Sequence, residues 1–177
     1  MAKVDIPVSS KQIVSLLLTV FIPLALAFLV VLWAPSKSVQ TRSDEALAAW
    51  IVGGIAIALL SLIIAAAKRH FIEVLPDALT VRHSLYTLAI ERSAVDSLEV
   101  REITSIDQLG LSTRKNGIAA FGYFSGWFRG AEGDLTFCAL SRWPAYLITF
   151  EGSARCRQLA LSTNPDVARS IEDWVSA

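Results

Sequence analysis

Two uncharged apolar runs near the start constrain this 177-residue chain more than any other feature. IVSLLLTVFIPLALAFLVVLW, from Ile13 to Trp33, and ALAAWIVGGIAIALLSLIIAAA, from Ala46 to Ala67, both lack an ionisable side chain. At a rise of about 1.5 Å per residue each run would make a helix of about 31–33 Å, matching a hydrocarbon core of about 30 Å. Buried helices of water-soluble cores rarely hold so long an apolar run. Transmembrane helices are therefore expected at 13–33 and 46–67. A cleavable leader fits the first run less well: its apolar part outlasts the usual hydrophobic region, and no small-x-small cleavage site precedes Pro35. Pro23, inside the first run, is expected to kink that helix without ending it.

The connection between the runs, 34–45, is polar and too short for a domain, so a helical hairpin with a short external loop is expected. Ser43, followed by Asp44 and Glu45, suits a helix start, where a hydroxyl caps free N–H groups and carboxylates face the positive dipole end. Trp33 and Trp50 would then sit at the same water boundary. Lys3, Lys11, Lys68, Arg69 and Arg82 flank the outer ends, against Lys37 and Arg42 in the loop. That bias predicts a multi-pass inner-membrane protein with both termini cytoplasmic and residues 1–12 as a cytoplasmic tail. In the second run Ala49, Gly53, Gly54 and Ala58 form two small-xxx-small pairs, suited to close helix packing within the chain or against a second copy. Neither run holds an ionisable residue, which argues against a proton relay or ion path there.

The pattern changes after residue 70. Residues 71–177 carry ten Lys and Arg against thirteen Asp and Glu, so the formal net charge of zero divides into a positive first part and a second part of −3. A clustered basic excess is missing, which excludes wholesale binding of nucleic acid. Short alternating runs are separated by turn residues: FIEVL (71–75), LTVRHS (79–84), TLAIE (87–91), VDSLEVREI (95–103), GIAAFGYF (117–124), DLTFCAL (134–140), AYLITFE (145–151) and CRQLALS (156–162). Pro76 and Asp77 suit the centre of a type I turn between the first two. Seven or eight short strands without an intervening helical period predict an antiparallel barrel or sandwich. Asn164-Pro165-Asp166 reads as a helix start, and Val167, Ile171, Trp174 and Val175 give the helix at 165–176 an apolar face.

This order of elements resembles bacterial pleckstrin-homology-like membrane proteins, in which two membrane helices precede a small antiparallel barrel of about seven strands closed by a C-terminal helix. The likeness spans 71–177. It rests on Arg114-Lys-Asn-Gly117, Gly122, Gly126-Trp127-Phe128 and the run AYLITFEGSARCRQLALSTNPDVARSIEDW, with the order of elements carrying most of it. The resemblance implies an α+β membrane protein with a binding or scaffolding role and no catalysis of its own. The first hairpin offers only Arg82 and His83 where inositol-lipid binders of that family carry a basic cluster, so inositol-lipid binding is not expected.

No metal site, catalytic site or cofactor is expected. His70, His83, Cys138 and Cys156 are isolated, with no CxxC or HExxH spacing and no GxSxG elbow. The cysteines read as buried free thiols, His70 as an interfacial cation, His83 as an exposed strand residue and Ser125 as a turn residue. Gly122, Gly126 and Gly130 lack the spacing of a phosphate-cradling loop and read as glycines of an aromatic turn.

That turn is the candidate binding surface. Phe121 and Tyr123 read as core; Trp127, Phe128 and Arg129 read as a loop tip with Arg114 and Lys115 beside it, where aromatics and cations could meet headgroups or a partner protein. The functional expectation is a membrane-anchored module presenting this surface to lipid headgroups or a membrane-protein partner. The alternative is an accessory or assembly subunit that contacts a membrane enzyme or transporter, or a second copy of the chain, through the second helix.

Overall fold

The computed structural model of the chain describes residues 2–8, 10–33, 39–67, 69–120 and 122–176; within the first two helices it describes side chains at 10, 14, 18, 21–30, 33, 47, 48 and 50–66. The chain divides into two compact units, Ile13–Ala67 and a second formed by Met1–Gln12 with Lys68–Ala177.

The helical unit is built from α1 (Ser10–Trp33) and α2 (Val39–Ala67). Pro23 lies inside α1, and Ser43 lies within α2 and so is not its cap. Large apolar side chains are exposed along both helices, with Trp33 at 92% and Trp50 at 82%. Among the described residues, no helix is long and apolar enough to cross a membrane. This corrects the expected transmembrane hairpin and, with it, the multi-pass inner-membrane assignment. Residues 34–38 of the expected external loop lie outside the described residues.

The β unit begins earlier than expected. Residues 2–5, read from sequence as tail, form β1 (Ala2–Asp5), which pairs antiparallel with β2 (His70–Val74) from Ala2↔Val74 to Asp5↔Phe71. A short apolar alternation so close to the N-terminus carries no sign of a partner strand that follows both helices in the chain. β2 turns at Pro76-Asp77 into β3 (Ala78–His83), with Leu75 N–H donating to Ala78 O at 2.9 Å, and β3 pairs with β4 (Tyr86–Glu91). These four strands form one open sheet in the order β1-β2-β3-β4.

β5 (Val95–Ile103), β6 (Leu111–Ala120), β7 (Tyr123–Gly130), β8 (Leu135–Leu140), β9 (Ala145–Gly152) and β10 (Gln158–Leu161) form the other sheet, ordered β5-β9-β10-β8-β7-β6. β8 and β10 run parallel; the remaining pairs are antiparallel. Two open sheets of four and six strands thus replace the expected closed barrel. Closure would require every strand to have two neighbours, and here β1, β4, β5 and β6 end their sheets.

One apolar cluster draws on both sheets, through Ile72, Val81, Leu88 and Ile90 on one side and Phe137, Ile148, Leu159 and Leu161 on the other. A second, on the opposite face of the larger sheet, gathers Ile103, Leu109, Phe128, Cys138, Leu140 and Leu147. β8 and β10 are therefore buried on both faces, which explains their near-continuous apolar sequence. α3 (Pro165–Ser176) follows the sequence expectation closely: Val167 N–H donates to Asn164 Oδ1 at 2.9 Å, and Val167, Ile171 and Trp174 enter the shared core. The Trp174 Nε1–H finds Leu75 O at 2.7 Å, so the indole is buried with its polar atom satisfied.

Candidate functional site

The aromatic segment is a strand rather than a turn. Trp127, Phe128 and Arg129 lie in β7, which pairs with β6 through Asn116↔Trp127 and Arg114↔Phe128. The loop-tip placement is thereby corrected; glycines at 122, 126 and 130 suggest punctuation, yet Gly126 continues the strand. Its φ of +108° and its approach to Asn116 and Gly117 explain the glycine: a Cβ would stand 2.6 Å from Asn116 O and 2.8 Å from Gly117 Cα.

Strand alternation separates the candidate residues. Phe128, at 3% exposure, packs in the second core cluster near Phe124, so it is structural. Trp127 points to the other face, half-buried, with its ring edge-on to Phe137 at 5.1 Å. Arg129 is exposed, as are Arg114 and Lys115 on the edge strand β6. The pairing shifts register between Arg114 and Asn116, leaving Lys115 at the irregularity. Phe121 lies outside the described residues, and Tyr123 is buried, as expected of a core aromatic.

Two of the expected residues meet around a cleft of about 190 Å³, lined by Lys115, Asn116, Trp127, Leu135 and Arg155. The Arg155 guanidinium carbon stands 5.5 Å from the Trp127 ring centroid, in cation–π range. A larger cleft of about 610 Å³ shares Leu135 and Arg155 and continues to Asp134, Glu151 and Arg157. There Arg157 pairs with Asp134 at 3.6 Å and Glu151 accepts from Ser97 at 2.7 Å. Among the described residues, neither Lys115 nor Arg155 forms an ion pair with a carboxylate. The sequence does not point to Arg155, because it lies in the loop before β10, far along the chain from Trp127, and only the sheet order brings the two together.

Helix α2 holds the other expected set. Among the described residues, a Cβ built on Gly53 or Gly54 meets nothing within 4 Å, and Ala58 is exposed; the side chain of Ala49 lies outside the description.

A third group is not apparent from sequence. His83, read as exposed, is 0% exposed, and His70, read as an interfacial cation, is buried. The cause is phase: in β3 Leu79, Val81 and His83 share the inward face, and His70 opens β2 directly opposite His83. Their rings are 4.7 Å apart and edge-on, and His83 stacks on Tyr123 at 4.9 Å. Burial, reinforced by the charge of His70, pushes the His83 pKa down to about 3; burial also lowers that of His70. Tyr123 titrates above its ordinary value because burial outweighs its hydrogen bonds to Ser84 and Ser125. Ser125, read as a turn residue, is buried in β7 and donates to His83 O at 2.8 Å. The two cysteines are buried free thiols, as expected. No family model, curated protein or solved structure matches this chain.

Proposed function

We propose that this chain is a non-catalytic binding module that takes an anionic segment of a partner protein into the Lys115–Trp127–Arg155 cleft. One juxtaposition carries the reading. Two cations without carboxylate partners among the described residues border a half-buried indole. An entering carboxylate or phosphate would receive charge-assisted hydrogen bonds from Lys115 and Arg155, while the Trp127 face shields one side from water. Arg129, on the same face of β7 as Trp127, extends the positive field toward the strand end.

A fluorescence titration of the full chain with an acidic decapeptide tests this reading. Trp127→Ala should weaken binding by at least about tenfold, and the wild-type affinity should fall as salt rises. Unchanged affinity in Trp127→Ala would overturn the cleft. Retention on phosphatidylglycerol vesicles without peptide binding would overturn the choice of a protein partner. Gly54→Leu distinguishes the accessory-subunit alternative: it should leave peptide binding unchanged here, whereas that alternative places the decisive contact on α2.

A further inference from the structure

The strands that end an open sheet present outer N–H and C=O groups that another chain can pair with. Three of the four end strands here are short or packed against another element: β1 has four residues, β4 lies against β7, and α3 packs against β5. β6 is ten residues long, and among the described residues β7 is its sole strand partner. We propose that the anionic segment of the partner protein binds as an extended strand along the outer edge of β6, adding a strand to the larger sheet. The proposal rests on the Lys115–Trp127–Arg155 reading and specifies the conformation of what that cleft takes.

The second half of β6 is suited to pairing. Register shifts between Leu111 and Thr113 and between Arg114 and Asn116 disturb the first half, as bulges on edge strands do. From Asn116↔Trp127 to Ala120↔Tyr123 the pairing with β7 then runs without a shift. In such an antiparallel ladder alternate residues turn their N–H and C=O groups away from the partner strand, toward the open side. Residues 117–120, Gly-Ile-Ala-Ala, hold neither the charge nor the proline that commonly blunts an edge.

The cleft opens at this edge. Lys115 and Asn116 line it from β6 itself, and Trp127 is the residue of β7 paired with Asn116. Alternate side chains of an added strand would leave opposite faces. One set would meet Lys115 and Arg155; the other would meet Arg114, which is exposed and pairs with Phe128 on the opposite face from Trp127. Consecutive carboxylates, rather than every second one, therefore suit this edge. Charge also decides the occupant. Neither Arg114 nor Lys115 has a carboxylate partner among the described residues, so an acidic strand neutralises both, whereas a second copy docked β6 on β6 would add its own Arg114 and Lys115 to the same positive field.

The acidic decapeptide and a depsipeptide version of it, with esters in place of its five central amides, titrated into the full chain, test the strand. The esters keep the length and the charge but remove the N–H donors, so the depsipeptide should bind at least about tenfold more weakly. Infrared spectra of the parent peptide labelled with ¹³C at its central carbonyls should move to the β-sheet position on binding. Equal affinity of the two peptides, or a bound label at a helical or unordered position, would overturn strand addition, while sensitivity of the parent to Trp127→Ala would still support the cleft. No binding of the parent peptide would overturn both. A full-chain dimer in sedimentation velocity that Ala119→Lys dissociates would give the edge to a second copy and likewise overturn the proposal.

Discussion

Acidification should destabilise the β unit through His83, and the size of the effect follows from the burial of that ring. An imidazole free in the unfolded chain titrates near 6.5, whereas in the fold His83 is pushed down to about 3. Between those values the unfolded chain holds a proton that the folded chain rejects, so stability rises with pH across the window. The stabilisation is complete above about 6.5 and is lost progressively as the pH falls toward 3. At pH 5 the linkage amounts to about 2 kcal/mol, and His70, also lowered by burial, acts in the same direction. Urea unfolding at pH 7.5 and pH 5 should therefore show a midpoint lower by about 1–2 M at the acid value. His83→Phe, which keeps an apolar ring against Tyr123, should remove most of that acid loss. If a folded His83→Phe loses as much stability on acidification as the wild type, the buried neutral histidine is not its source.

The remaining predictions concern the framework. Gly126→Ala should destabilise by more than about 2 kcal/mol, because the strand places backbone atoms where the methyl must go and holds φ at +108°. Gly54→Ala should instead raise the thermal midpoint of the helical signal by roughly 0.5–1 kcal/mol equivalent, since its Cβ would meet nothing among the described residues. Asn164→Ala should cost about 1 kcal/mol by removing the α3 cap, read by chemical denaturation. Neither thiol should react with iodoacetamide at pH 8 until the chain unfolds: burial pushes Cys156 up to about 12 and Cys138 strongly upward as well.

The legible parts of this fold are those set by local chemistry. Asn164-Pro165-Asp166 specifies a helix start from three adjacent residues, and Pro76-Asp77 specifies a tight turn, so α3 and the β2–β3 hairpin stand where expected. Pairings between distant segments are not legible. β1 joins β2 across the whole helical insertion, and the parallel β8–β10 pair sits inside an otherwise antiparallel sheet; no local pattern encodes either. Length and apolarity of the two early runs suggest a membrane hairpin, but the described helical segments do not sustain it. At the candidate site the sequence picks out Lys115 and Trp127 and puts them beside Phe128. The pleat then separates Phe128 into the core and replaces it with Arg155, which only the tertiary structure supplies. His83 escapes for the related reason that a single polar residue at the end of a strand does not reveal which face it joins.

The cleft is tested most directly by exchanging charge across the contact. Lys115→Glu with Arg155→Glu should lose the acidic decapeptide by at least about tenfold and gain a lysine-rich peptide of equal length, with opposite salt-sensitive preferences in the two chains. If the doubly reversed chain keeps the acidic peptide at wild-type affinity and ignores the basic one, the cleft between Lys115, Trp127 and Arg155 is not where this protein binds.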